Sequence, residues 1–451
     1  MKADLVQLGL LLFVSALVAM LTRRLRMPYT VGLVLAGIGL SFLPRHVHLA
    51  LSNELIYSVF LPPLVFEAAL YLRWPELRRD LPVIALLATL GLSFAAALTA
   101  TGMHYAVGWT WGSAAVFGVL IAATDPVSVI ATFKEAGVHG RLRVLVEAES
   151  LLNDGTAAVG FATALSLATG AGGGALQAAT SLVVGIGGGI VCGLAAGFAL
   201  MMLAGRSNDL FVEFTFSTLT AYGSFMLAEH WGFSGVLAAL TAGLVTGNYR
   251  HARRASETDH AALESFWGYL GFVINSLVFL LIGSREAQMH FGNVWKAVGA
   301  AILLVTVGRA LAIYPPCALF ARGRLRVDPR HQHVLFWGGL RGALALALAL
   351  ELPSTLPFHD QVVTVAFAVV AFSIVVQGLT MPPLLRRLGE IDAAPLAAFE
   401  RIPLSRRAPG AGLLRSASAP IPHSASGCAC GAARWNASRR RHVSWIAPIV
   451  E

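Results

Sequence analysis

The stretch "AESLLNDGTA", residues 148–157, carries two carboxylates, a serine and an asparagine inside an otherwise apolar run. Even lenient scales assign several kcal/mol to a charged side chain at the centre of a membrane. On a helix, Glu149 and Asn153 share one face, and Ser150 and Asp154 share a neighbouring face, because each pair is four residues apart. Two carboxylates this close together in a membrane segment therefore indicate a functional site rather than ordinary structural hydrogen bonding.

The composition predicts an all-α polytopic membrane protein, since 56% of the 451 residues are hydrophobic and only 13% are charged. A hydrocarbon layer of about 30 Å requires about 20 apolar residues per helix. We identify thirteen such segments, so the predicted fold class has about 13 transmembrane helices. They lie near 4–22, 29–43, 52–72, 81–107, 111–132, 143–169, 175–204, 209–228, 233–249, 261–283, 293–320, 333–351 and 361–381.

The basic residues between these segments predict the orientation, because Lys and Arg are enriched in cytoplasmic loops. Nineteen of them follow odd-numbered segments, and only Lys2, Arg45, Arg285 and Lys296 lie on the opposite side. The N-terminus is therefore predicted outside and the C-terminus in the cytoplasm. This topology also explains the net charge of +9 without nucleic-acid binding.

Two regions are expected along the chain. Residues 1–391 contain all of the apolar segments and form the predicted transmembrane domain. Residues 392–451 are rich in Ala, Pro, Ser and Arg without a sustained apolar period, which predicts a largely disordered cytoplasmic tail. The four cysteines form no disulfide framework, and no cofactor is implied.

The fifth segment is predicted to be interrupted at "AATDPVSV", residues 122–129. Pro126 removes a backbone donor, and Thr124 and Asp125 bring side-chain oxygens to the same point. A break at mid-membrane leaves free carbonyls, which suit a cation, and half-helix ends that need countercharges. We expect Asp125 to be the countercharge at a helix N-terminus rather than a direct cation ligand.

A second helix break is predicted in the twelfth segment, where Gly338, Gly339 and Gly342 surround Arg341. This guanidinium stays charged and needs an anion or exposed carbonyls, and Glu149 is the predicted partner. That pairing would leave Asp154 free to titrate. Arg309, in "TVGRALAIYPP", is a further candidate structural cation, either deep in the membrane or at its cytoplasmic side.

The interrupted segments lie seven helices apart and therefore have opposite orientations. This spacing fits two inverted six-helix repeats with crossed discontinuous helices, an arrangement that places a transport site at mid-membrane. Glu67, in "LPPLVFEAAL" at residues 61–70, comes from the third segment. Pro62 and Pro63 can bend that segment, so we expect the Glu67 carboxylate to face the same site.

Together, "ATDPVSV" at 123–129, "AESLLNDGTA" at 148–157, "GGLRGALALAL" at 338–348 and "LPPLVFEAAL" at 61–70 resemble the signature segments of monovalent cation/proton antiporters. The similarity is to the sodium/proton exchanger branch, which includes the bacterial NhaP proteins and the animal exchangers. It covers about residues 5–385 in order and spacing.

The resemblance implies a role for each matching residue. Asp154 would bind either the cation or protons, with Ser150, Glu67 and the backbone carbonyl of Thr124 completing the oxygen shell around Na+. Asn153 would belong to the same cation- and proton-binding group and would mark the electroneutral, one-for-one exchangers.

For the remaining charged residues, the resemblance implies that Asp125 balances the helix ends and that Glu149 pairs with Arg341. It also implies a homodimer in a bacterial inner membrane. A core bundle of segments 4–6 and 11–13 would move against a dimerisation bundle of segments 1–3 and 7–10.

Competition at one anionic site would give tightly coupled exchange of Na+ or Li+ for H+, without an enzymatic step. Burial and a neighbouring carboxylate both disfavour the charged form of Asp154, so a proton can replace the cation there. A potassium/proton antiporter of the same superfamily is the main alternative. A cation channel, or an intramembrane aspartyl protease using Asp125 and Asp154, remains a more distant one.

Overall fold

The computed structural model describes residues 2–25, 27–42, 55–170, 174–207, 209–253, 257–287 and 294–390. The tail predicted at 392–451 lies outside these residues.

The described residues form seventeen α-helices and no β-strand beyond one isolated bridge. Three short π-helical turns, at Leu55–Phe60, Leu87–Gly91 and Ser373–Gln377, lie next to these helices. The α-helices are α1 Lys2–Leu25, α2 Tyr29–Ser41, α3 Leu61–Leu70, α4 Trp74–Leu86, α5 Leu92–Val107, α6 Trp111–Leu120, α7 Val127–Ala136, α8 Arg141–Ala168, α9 Ala175–Ala204, α10 Leu210–His230, α11 Gly235–Arg253, α12 Glu257–Glu286, α13 Trp295–Leu319, α14 Pro329–Trp337, α15 Ala343–Leu350, α16 His359–Phe372 and α17 Gly378–Leu388.

Helices suit a bilayer, because each backbone polar group of a helix finds its partner within its own segment. Each predicted segment overlaps one helix, or two helices separated by a break or a π-helical turn. Within the described ranges, six helices are long and apolar enough to cross a membrane: Trp74–Val107, Leu176–Ala204, Leu210–His230, Ala261–Arg285, Trp295–Leu319 and His359–Leu388.

The fourth helix starts earlier than its predicted boundary at residue 81, since helical structure begins at Trp74. Charged residues in this first part concealed the helix from a search for apolar runs. Asp80 is buried, and its carboxylate accepts a hydrogen bond from the Arg141 guanidinium at 2.7 Å. The ion pair lets a charged side chain lie inside the bundle, so the helix continues through it.

The helices pack mainly within two groups. In the first group, α12 packs on α2, and α11 packs on α3 and α9. In the second group, α5 packs on α6 and α13, while α6 packs on α8. Helix α8, which carries the opening stretch, also contacts α3, α9 and α11 of the first group. The candidate site therefore lies where the two groups meet.

Two interrupted helices meet within the second group. Helix α6 ends at Leu120 and α7 begins at Val127, while α14 ends at Trp337 and α15 begins at Ala343. The connecting segments run antiparallel, and the backbone N–H of Asp125 donates to the Leu340 carbonyl at 2.7 Å. Four half-helix ends thus converge beside α8.

Candidate functional site

Asp125 occupies the meeting point of two helix N-termini. Its Oδ1 accepts the backbone N–H of Val127, the first residue of α7, at 2.8 Å. Its carboxylate also lies against Gly342 and the backbone N–H of Ala343, the first residue of α15. A negative charge in this position stabilises the positive ends of both half-helices. The backbone at the two helix ends therefore already holds this carboxylate in place.

Gly342→Ala is expected to lower the free energy of unfolding by about 1–3 kcal/mol, as overpacking of a filled interior does. A Cβ at position 342 would overlap the Asp125 side chain. Thermal unfolding of the purified variant in detergent measures this effect. Gly223→Ala is the matched control, because a Cβ at that helical position meets no atom within 4 Å. Equal unfolding temperatures for the two variants would contradict the close packing at the crossing.

Arg341 supplies the opposite charge. The buried guanidinium donates to the carbonyls of Ala122 and Ala123, at 2.7 and 3.0 Å, just beyond the C-terminal end of α6. Its backbone N–H donates to Ser373 Oγ at 2.7 Å. A cation at a helix C-terminus offsets the negative end of the helix dipole.

The predicted ion pair between Glu149 and Arg341 is wrong. Glu149 instead forms a bidentate pair with Arg309, in which two guanidinium nitrogens donate to the carboxylate oxygens at 2.7 and 2.9 Å. Both side chains are buried, and Arg309 also donates to the Leu335 carbonyl at 3.0 Å. Gly339 leaves room for this guanidinium, since a Cβ there would overlap it. Arg341 is unavailable for Glu149 because free carbonyls already bind it.

Asp154 is the buried carboxylate whose hydrogen bonding is incomplete. Its carboxylate lies beside the backbone N–H of Thr124, yet its Oδ1 has no hydrogen-bond partner in the described part of the chain. The residue is 9% exposed. A buried carboxylate oxygen without a partner is costly unless a proton or a cation neutralises it.

The neighbouring polar residues of α8 face the break between α6 and α7. Asn153 donates through Nδ2 to Thr124 Oγ1 at 3.1 Å and to the Ala122 carbonyl at 3.3 Å. Its Oδ1 has no partner among the described residues. The Ser150 hydroxyl donates to the Thr124 carbonyl and lies 3.1 Å from Thr124 Oγ1. Ser150 and Asn153 therefore fix the position of Thr124.

A cavity of about 70 Å³ opens beside Asp154, which is enough room for several water molecules. Thr124, Asp125 and Asp154 line it from the helix crossing, and Glu67 lines it from α3. The structure thus brings four of the predicted site residues to one cavity. Ser150, Asn153 and Glu149 do not line it. No cluster of three or more His, Cys, Asp or Glu side chains suited to a metal ion occurs within the described residues.

A larger cavity of about 720 Å³ lies at the end of the bundle where α8 terminates. Tyr57 and Glu229 line it, and the Tyr57 hydroxyl donates to Glu229 Oε1 at 3.0 Å. Glu351, the residue after α15, lines the same cavity, and so does Ala158. Ala158 lies one helical turn beyond Asp154. The larger cavity therefore reaches α8 one turn beyond Asp154, although Asp154 itself lines only the smaller cavity.

A family model described as "Sodium/hydrogen exchanger, transmembrane" matches residues 10–387. The chain belongs to the sodium/hydrogen exchanger family. The predicted branch of the antiporter superfamily is confirmed by this match and by the relatives. Membership in this family, together with the six long apolar helices, makes the chain an integral membrane protein.

Curated relatives of this exchanger-family chain are named as Na+/H+ antiporters. NhaS2 of Synechocystis sp. is 37% identical over 388 residues, covering 86% of this chain and 71% of the relative. NhaP of Pseudomonas aeruginosa is 32% identical, covering 74% of this chain and 81% of the relative.

Among solved structures, MjNhaP1 of Methanocaldococcus jannaschii at pH 8 has a similar fold. The TM-score is 0.67 at 19% identity, with 85% of this chain and 98% of MjNhaP1 covered. This likeness supports a polytopic helical membrane fold for the exchanger-family chain.

Arg309 of this exchanger-family member was predicted as a candidate structural cation, but its pairing with Glu149 was not predicted. The signal was present, because an arginine inside an apolar segment must find an anion or carbonyls within the protein. The sequence alone did not show which of two arginines reaches Glu149. Asn275 also lines the cavity of Asp154, although it was not among the predicted residues. Its position in the apolar run "FVINSLVFLL" was the available signal.

Proposed function

We propose that this chain is a transporter that exchanges Na+, with Li+ as a candidate second substrate, for H+ across the membrane. The observation that carries the proposal is the partnerless Oδ1 of Asp154, a buried carboxylate oxygen on a cavity at the helix crossing. The curated relatives named as Na+/H+ antiporters support the same substrates.

In this proposal, Asp154 binds either one cation or one proton. Removal from water disfavours its charged form, so each occupant is held by neutralising the carboxylate. The cation and the proton then compete for the same oxygen atoms. If the protein changes its access only when Asp154 is neutralised, the two fluxes are coupled without any other energy source.

The proposed cation ligands are Asp154, Glu67, Ser150 and the Thr124 carbonyl, with Asn153 holding Thr124 in place. Small hard cations favour carboxylate, hydroxyl and carbonyl oxygens. The Ser150 hydroxyl donates a hydrogen bond to the Thr124 carbonyl. Binding of Na+ would therefore replace this hydrogen bond with two oxygen ligands.

Alternating access is proposed to come from relative movement of the two helix groups. The group with both breaks would be the mobile core, and the group with α1–α3 and α9–α12 would form the dimerisation bundle of a homodimer. This assigns thirteen spans in two inverted six-helix repeats. The cavity that Asp154 lines, and the larger cavity that reaches α8 one turn further on, support such access.

The proposed setting is the inner membrane of a bacterium, with the N-terminus outside and the C-terminus in the cytoplasm. A coupled exchanger there would contribute to sodium and pH homeostasis. Tagging of each terminus followed by protease protection in sealed vesicles tests this orientation.

Dissipation of an imposed pH gradient in proteoliposomes tests the function. Each alkali cation is added in turn, and the internal pH is followed with a trapped dye. Proton efflux that saturates with Na+ supports the proposal. Efflux with K+ alone would favour a potassium/proton antiporter, and no cation-dependent efflux would refute cation/proton antiport.

Exchange is expected to be electroneutral, because the position before Asp154 is the uncharged Asn153. One Na+ would exchange for one H+, so an imposed membrane potential should leave the initial rate unchanged. Clamping the potential with K+ and valinomycin at several values measures this directly. A rate that rises with the potential, or a voltage generated by Na+ flux, would contradict one-for-one exchange.

A further inference from the structure

The cavity beside Asp154 has two walls, and each wall is formed by a different helix group. Thr124, Asp125 and Asp154 belong to the helix group that contains the crossing. Glu67 on α3 and Asn275 on α12 belong to the other group. A cation in this cavity would be enclosed by polar side chains of both groups.

Asn275 lies on the face of α12 that borders Glu67. Gly271 is one helical turn before Asn275, so the two residues share a face. A Cβ at Gly271 would lie 3.1 Å from Glu67 Oε2, which shows that the Glu67 carboxylate rests against the helix at this point. The same face therefore supports Glu67 at one turn and presents Asn275 to the cavity at the next.

The carboxamide of Asn275 makes no hydrogen bond within the described part of the chain. Other polar side chains of the apolar helices are hydrogen-bonded, as is usual in membrane helices. Ser276 bonds to Tyr29 at 2.6 Å, and Asn248 on α11 donates to the Leu244 and Leu72 carbonyls at 2.8 and 3.0 Å. Asn275 is thus a half-buried polar residue that can contact a water molecule or an ion inside the cavity.

A carboxamide suits this position chemically. Its oxygen is a neutral ligand for a cation that has lost part of its hydration shell, as backbone carbonyl oxygens are in ion filters. Because it is neutral, it strengthens cation binding without adding a second site for a proton. A carboxylate at the same position would instead add a charge and alter the balance between cation and proton.

We propose that Asn275 is a further cation-positioning residue, which contributes a neutral oxygen to the site from the helix group opposite Asp154. This inference rests on the proposed cation/proton exchange. It assigns to α12 a part in cation affinity and selectivity, in addition to its packing against α2 and α3.

The test compares Asn275→Leu and Asn275→Ser with the wild-type protein in proteoliposomes. Loss of the oxygen in Asn275→Leu is expected to raise the apparent KM for Na+ about tenfold, equivalent to about 1.4 kcal/mol. Its Vmax is expected to stay within about twofold, because Asp154 still carries the exchange. Asn275→Ser keeps an oxygen and should lie between Asn275→Leu and the wild type.

The competition model adds a readout that a packing defect would not produce. When Na+ binding weakens tenfold at a fixed Na+ concentration well above both apparent KM values, protons occupy the site up to a pH about one unit higher. In a plot of exchange rate against pH, the acid limb of Asn275→Leu should shift to higher pH by that amount. The ratio of Li+ to Na+ apparent affinities should also change.

Asn248→Ala is the matched control, because this asparagine binds backbone carbonyls and does not line the cavity. It should lower thermal stability while leaving the Na+ KM unchanged. If Asn275→Leu does not fold, stabilisation of Asn275→Ser by Na+ in thermal unfolding provides the measurement, with choline as the reference cation. A wild-type KM and acid limb in the folded Asn275 variants, or wild-type Na+ stabilisation of Asn275→Ser, would overturn the inference. Absence of Na+-driven exchange in the wild type would instead overturn the proposed function.

Discussion

Asp154→Asn is expected to abolish sodium-driven proton exchange and to leave the protein folded. The carboxamide has nearly the same size and shape as the carboxylate, so it can occupy the same space beside the Thr124 backbone N–H. It cannot carry the negative charge that a cation or a proton neutralises. Proton efflux from proteoliposomes should therefore fall to the level of protein-free vesicles at every Na+ concentration and pH.

The matched control is Asp360→Asn, since the side chain of Asp360 is fully exposed near the start of α16. This variant should exchange at the wild-type rate. Size-exclusion profiles and unfolding temperatures must match the wild type for both variants, so that loss of folding does not explain the result. Sodium-driven pH recovery at the normal rate in Asp154→Asn would refute the assignment of Asp154 as the shared site.

Much of the fold could be predicted from the sequence, because the bilayer requires long apolar helices and leaves ionisable residues conspicuous. The breaks at Asp125 and at Arg341 were predicted from proline and glycine beside a charged residue, and the structure has helix interruptions at both. The early start at Trp74 was missed, because an ion pair between Asp80 and Arg141 hides charge inside the bundle.

The pairing of charges could not be predicted in the same way. The sequence shows that Glu149 needs a cation. Arg309 and Arg341 are both candidates, and each lies more than a hundred residues from Glu149 along the chain. Which one reaches Glu149 depends on where the half-helices end. The free carbonyls of Ala122 and Ala123 bind Arg341, so Arg309 pairs with Glu149.

The same limit applies to Asn275. A single asparagine in an apolar helix usually bonds to a neighbouring helix, as Asn248 does here. Only the packing of α12 beside α3 shows that Asn275 lines the cavity of Asp154. A residue that reaches the site from the other helix group has no recognisable sequence motif around it, because only the tertiary packing brings it to the site.

The pair formed by Glu149 and Arg309 gives the largest expected effect on stability. Glu149→Leu or Arg309→Met removes one partner and leaves the other charge buried, which costs about 3–5 kcal/mol. The double variant Glu149→Leu/Arg309→Met removes both charges and should regain most of that loss. Recovery should be incomplete, because Arg309 also donates to the Leu335 carbonyl, which then lacks this donor.

Unfolding temperatures of the two single variants and the double variant in detergent form a double-mutant cycle that isolates the coupling between the side chains. A second cycle with Glu149→Leu and Arg341→Met provides the comparison. We expect strong coupling in the first cycle and weak coupling in the second, because Arg341 binds carbonyls rather than Glu149. Stronger coupling of Glu149 to Arg341 than to Arg309 would restore the pairing that the sequence alone suggested.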